Sequence, residues 1–105
     1  MEMVRRQPEK HLQLQIIKYL RLKGFTVGKI KTQGARRGNA FILDPYHFKG
    51  VADLLVFTPA LAFIEVKYGR NKQSKDQIAF QCLCEKANIP YILAYSLDDV
   101  IKQFP

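Results

Sequence analysis

Two short apolar runs, Val51-Ala52-Asp53-Leu54-Leu55-Val56-Phe57 and Leu61-Ala62-Phe63-Ile64-Glu65-Val66-Lys67, flank Thr58-Pro59-Ala60, and each is broken by one carboxylate. Such runs, separated by a turn signal, predict a β-hairpin. If it closes around positions 58 to 60, residues whose numbers add to 118 face each other, which sets Asp53 across from Glu65. Directly opposed residues hold their Cβ atoms roughly 4.5–5.5 Å apart. Alternation places Glu65 and Lys67 on one face and Ile64 and Val66 on the other. A slip of one residue would send one acid to the wrong side, so the reading stands on this register.

A carboxylate in a mostly buried strand needs compensation for its lost hydration, and a divalent cation is among the strongest compensators. Two opposed carboxylates can hold one Mg²⁺, whose oxygen ligands lie at about 2.0–2.1 Å. With Lys67 beside them, the pair points to phosphodiester cleavage. The competing reading is plain: both acids could pair with Lys67 or an arginine on an exposed edge.

Asp53, followed twelve positions later by Glu65-Val66-Lys67, resembles the PD-(D/E)xK nuclease core. The wider frame of Gly50-Val51-Ala52-Asp53, Phe63-Ile64-Glu65-Val66-Lys67 and Gln77 is similar to the virus-type replication-repair nuclease (VRR-NUC) domains of phage proteins and DNA-repair enzymes. Ala52 stands where that family often has proline, a departure in backbone shape rather than in ligands. The resemblance implies a restriction-endonuclease-like α/β core, αβββαβ, with a mixed central sheet flanked by helices. It implies a Mg²⁺- or Mn²⁺-dependent endonuclease in which Asp53, Glu65, the Val66 carbonyl and Glu9 hold one or two ions and Lys67 serves the attacking water or the phosphate. It further implies branched DNA as substrate and a homodimer that presents two sites to a two-fold junction. Two alternatives stand: a less selective nuclease of flaps, nicks or linear ends, and a non-catalytic DNA-binding module.

Charge agrees with a nucleic-acid partner. The net charge is +8, and residues 1 to 75 hold 15 of the 17 Lys and Arg against 5 of the 9 acids. Lysine and arginine displace counterions condensed on DNA. Arg36, Arg37, Arg70 and Lys72 are the candidate phosphate contacts, which would position substrate without reading bases. A solvated face or a membrane-surface patch would look alike without the acids.

The 105 residues, 48% apolar, fit one domain spanning positions 1 to 105, with no run near the roughly 20 apolar residues that cross a bilayer. Met1-Glu2-Met3-Val4-Arg5-Arg6 lacks the apolar core of a secretory signal, so a cytoplasmic protein of a phage or bacterial host is expected, with no membrane partner. The order of elements reads αβββαβα. Pro8 fits a first helical position, Leu12, Ile16, Tyr19 and Leu20 recur at helical spacing, and Gly24 supplies a stop. Phe25 to Ile30 reads as a strand, Lys31 to Asn39 as a basic loop and Ala40 to Leu43 as a short strand continuation. A helix over Lys75 to Lys86, a strand opened by Pro90 and a short helix capped by Ser96 complete the chain.

Cys82 and Cys84 point to different sides of a helix, which suits neither a disulfide nor a shared zinc ion. His11 and His47 read as solvated, although His47 lies close before Gly50. Glu9 shares a helix side with Leu12, Gln13 and Ile16, and the competing reading is a helix-start glutamate favoured by the dipole. Ser74-Lys75-Asp76-Gln77 spells a capping box, so Gln77 either caps the helix or serves the site. Tyr95 and Phe104 are candidate exposed residues for a dimer interface.

Overall fold

Apolar residues at helical spacing pull the first helix onto a sheet. A computed structural model describes the backbone of residues 2–30, 35–37, 40–42, 49–58 and 61–105, and side chains from position 8 onward except in 35–37 and 40–42. Helix α1 (Glu2–Leu22) lays Leu12, Ile16, Ile17 and Leu20 against the core. It begins six residues before the expected start, so Pro8 lies inside the helix rather than opening it. The proline removes the N–H that would reach the Val4 carbonyl, and the helix runs through that single lost bond. Gly24, at φ +93°, ends it as expected: Phe25 N–H donates to the Leu20 carbonyl at 3.0 Å and Gly24 N–H to that of Arg21.

Four strands form the main sheet in the order β1-β4-β5-β6: β1 (Thr26–Lys29), β4 (Leu54–Phe57), β5 (Leu61–Val66) and β6 (Tyr91–Ala94). The β4–β5 hairpin has the expected register, with Leu54 opposite Ile64 and Phe57 opposite Leu61. Pro59 and Ala60 of its turn lie outside the described residues. β6 runs parallel to β5, which makes the sheet mixed. Leu54, Val56, Ala62, Ile64 and Val66 fill the face covered by α1 and by Val100 of α3 (Leu97–Ile101). The opposite face carries Phe63 and Tyr91 under Phe80 and Cys84 of α2 (Lys75–Lys86), and Phe63 and Phe80 meet edge to face at 5.1 Å. The molecule is therefore a compact α/β fold with helices on both faces of a mixed four-stranded sheet.

Two expectations need correction. Within the stretch read as a basic loop, β2 (Ala35–Arg37) pairs antiparallel with β3 (Ala40–Ile42) as a separate two-stranded sheet, so Ala40–Ile42 does not simply continue the preceding strand. The signal was Gly38-Asn39, a two-residue spacer of the kind that closes hairpins. Phe104 is half-buried rather than exposed: its ring packs edge to face on Phe25 at 5.1 Å, and its carbonyl accepts the Tyr19 hydroxyl at 2.6 Å. Leu43, the expected end of that strand, and His47 lie outside the described residues.

The remaining local signals act as read. Ser96 caps α3 by accepting from Asp99 N–H, and Cys84 is buried while Cys82 is exposed. Among the described residues no helix is long and apolar enough to cross a membrane.

Candidate active site

Asp53 occupies the bend one residue before β4 and is fixed at both ends. Its backbone carbonyl accepts Ile30 N–H at 2.9 Å, and its Oδ2 accepts Val66 N–H at 2.8 Å. Ala52 and Leu54 on either side are fully buried, one under α2 and one under α1. The carboxylate has little freedom to leave the end of the hairpin.

Glu65 is the sole charged residue buried among those described, at 2% exposure, because β5 is an interior strand and α2 lies over its face. Its Oε2 accepts Gln77 Nε2–H at 3.0 Å and faces Lys67 Nζ at 3.5 Å. Its Oε1 is buried with no hydrogen-bond partner among the described residues. A buried acceptor left unpaired costs about 1–3 kcal/mol, more when charged. The competing reading of a simple surface pair with Lys67 accounts for Oε2 only, and the pair is buried.

The two carboxyl groups come within hydrogen-bonding reach of each other when one carries a proton. Burial and then the charge of Asp53 push the Glu65 carboxyl up to about 8, against the pull of Lys67. Burial also raises Asp53, opposed by the Val66 N–H, the bond with Glu65, and the charges of Lys67 and Lys29. Two acceptors that face each other need a third party between them, and a proton or a cation fills that role. Hard carboxylate oxygens suit Mg²⁺ or Mn²⁺, and Mg²⁺ keeps most of its waters, so one or two protein carboxylates are enough to hold it. The donor set fits such an ion.

Gln77 takes both roles that the sequence left open. Its Oε1 accepts Ser74 N–H at 2.8 Å and its backbone N–H donates to Ser74 Oγ at 3.2 Å, which completes the capping box. The other end of the same amide, Nε2, donates to Glu65. The helix cap thereby orients the Glu65 carboxylate. Gly50 makes this approach possible: at φ +73° it lets the Asp53 loop touch the first turn of α2, where a Cβ would overlap the Asp76–Gln77 peptide.

Other candidates are placed less directly. Glu9 lies on α1, over the sheet face opposite Glu65, and its Oε1 accepts Asn71 Nδ2–H at 3.5 Å. Among the described residues no group of three His, Cys, Asp or Glu gathers closely enough to share a metal ion. Val66 meets Asp53 through its N–H. Arg70 and Lys72 are exposed on the loop after Lys67, Arg36 and Arg37 lie on β2, and His11 is exposed on α1. Sequence reasoning missed Asn71, which also accepts the Tyr95 hydroxyl on its carbonyl at 2.8 Å and so ties that loop to α1 and β6. It missed Lys29 as well, whose charge acts on Asp53. The signal for Lys29 was its alternation on a strand beside the hairpin; Asn71 gave none beyond an ordinary turn composition.

Comparison of the chain with family models, with curated proteins and with solved structures gives no match.

Proposed function

We propose that the protein is a metal-dependent DNA nuclease of the PD-(D/E)xK type, resembling the VRR-NUC domains, that hydrolyses phosphodiester bonds in branched DNA. The observation that carries this is a buried Glu65 with one oxygen unpartnered, beside Asp53 and Lys67. The ion pair with Lys67 leaves this buried acceptor over, and a cation shared with Asp53 would satisfy it.

Asp53 and Glu65 are the residues that would hold Mg²⁺ or Mn²⁺, and the ion would supply Lewis acidity and a bound water of lowered pKa. Val66 N–H keeps Asp53 aimed at the site, and Gln77 keeps the Oε2 of Glu65 turned towards Lys67. Lys67 is largely buried beside Glu65, its side chain 13% exposed, and its ammonium would offset the charge that grows on a scissile phosphate. The Val66 carbonyl stands as a further ligand implied by the resemblance; Glu9, which the resemblance would add, is instead on the helix over the other sheet face, bonded to Asn71. Arg70, Lys72, Arg36 and Arg37 would take phosphates along the strand, without base specificity. A homodimer would bring two such sites to a branch point.

The test is a substrate panel of four-way junction, flap, single-stranded and linear duplex DNA, each with Mg²⁺, Mn²⁺ or chelator. Metal-dependent cutting of the branched substrates, abolished by Asp53→Ala, Glu65→Ala or Lys67→Ala with DNA binding retained, is the expected result. Absence of cutting in every arm would leave only a basic binding protein.

A further inference from the structure

Parallel strands β5 and β6 end side by side, and the chain continues from them into Tyr68 and Tyr95. Ligands of open α/β sheets commonly bind beyond such carboxyl ends. Here a cleft of about 620 Å³ opens between these two tyrosines and the α1 face formed by Pro8, His11, Leu12 and Gln15. Both rings are exposed, Tyr68 by 51% and Tyr95 by 39%. The Tyr95 ring is held in place by its hydroxyl bond to the Asn71 carbonyl, and Asn71 is in turn tied to Glu9. A ring fixed this way at the surface offers flat area at little entropic cost.

The cleft opens at the end of the sheet that carries Glu65 and Lys67, on the face covered by α1, and positive charge lies on the neighbouring loop and helix. Tyr68 directly follows Lys67, and the loop that leaves it carries the exposed Arg70 and Lys72. Lys10 is exposed on α1, next to His11. Two exposed rings lining one cleft, with cations on the adjoining loop and helix, complement a chain that carries flat bases on an anionic backbone. In a duplex the base faces are stacked on one another and unavailable; an unpaired nucleotide exposes them.

We propose that this cleft takes unpaired nucleotides of the strand being cut, bases against Tyr68 and Tyr95 and phosphates towards Arg70 and Lys72. The inference rests on the nuclease reading and sharpens it: among branched substrates, those with a single-stranded segment next to the scissile bond are preferred.

Binding in chelator isolates this site from catalysis. The probes are a ~12-nucleotide single strand carrying 2-aminopurine, within the range of typical single-strand site sizes, and a blunt duplex of the same sequence. Wild type is expected to bind the single strand and to change the 2-aminopurine emission by stacking. Tyr68→Leu should weaken that binding by roughly 10-fold, within the range that loss of one stacked base produces, and leave duplex affinity within about twofold. Tyr68→Phe should restore single-strand binding. Should Tyr68→Leu lose its helical circular dichroism, Tyr95→Leu reads the same ring pair. The proposal is overturned by an unchanged emission in wild type, by single-strand affinity that survives loss of both rings, or by equal losses on single strand and duplex. A protein that stacks the single strand yet cuts nothing in Mn²⁺ would instead sink the nuclease reading alone.

Discussion

Replacing Glu65 by glutamine should remove a large, pH-dependent instability from the metal-free protein. In the folded chain the Glu65 carboxyl is pushed up to about 8 from an ordinary 4.5, so folding strengthens its hold on a proton. The sign follows directly. The contribution is fully present below about pH 4.5 and is lost as pH rises through about 8, where the unfolded chain has already released its proton and the folded one must ionise in a buried site. At 1.36 kcal/mol per pH unit, the interval from 4.5 to about 8 sets a ceiling of about 5 kcal/mol. Each kcal/mol moves the Tm of a domain of this size by roughly 4–8 °C. In chelator, therefore, wild-type Tm should fall by roughly 10 °C or more between about pH 5 and pH 9. Glu65→Gln keeps the shape but not the titration, and its Tm should be flatter over the same interval. Mn²⁺ should restore wild type most at the alkaline end, because a metal ligand must be deprotonated, and should do nothing for the variant. Parallel Tm curves for the two proteins in chelator would refute the reasoning.

Other outcomes follow from the same geometry. Gly50→Ala places a methyl into the Asp76–Gln77 peptide at a positive φ, and should destabilise by about 3 kcal/mol in urea unfolding while slowing cleavage. Gln77→Glu can still cap the helix but sets a second carboxylate against Glu65, so helix content should persist while cleavage near pH 7 is lost. Gln77→Ala loses both bonds, and a destabilisation of about 1–2 kcal/mol should accompany reduced activity. Phe104→Ala should lower Tm without changing oligomeric state in light scattering, since the ring packs inside the protomer against Phe25.

The hairpin was legible because its constraint is local. Alternation fixes faces, a short spacer fixes register, and together they set Asp53 against Glu65 before any long-range contact is known. Helix α2 was legible to the residue because Ser74 and Gln77 form a cap that depends on nothing distant. What the sequence did not carry was tertiary. The single amide of Gln77 serves cap and site at once only because Gly50 brings the Asp53 loop onto that turn. Placing Glu9 by its helical neighbours says which side faces the sheet, yet the sheet has two faces, and α1 covers the one away from Glu65. Phe104 near the chain end looked free because its partner Phe25 lies far away in sequence. Pro8 looked like a helix start because local rules favour it there, and the helix extends past it.

The central claim is that Asp53 and Glu65 share one cation. Anomalous scattering from crystals soaked in Mn²⁺ addresses it directly. A peak between the two side chains, with carboxylate oxygens at about 2.0–2.3 Å and Lys67 alongside, is the outcome this account requires. Crystals that show no peak there, with the two carboxyl groups bridged by a shared proton and Lys67 paired to Glu65 alone, would contradict it.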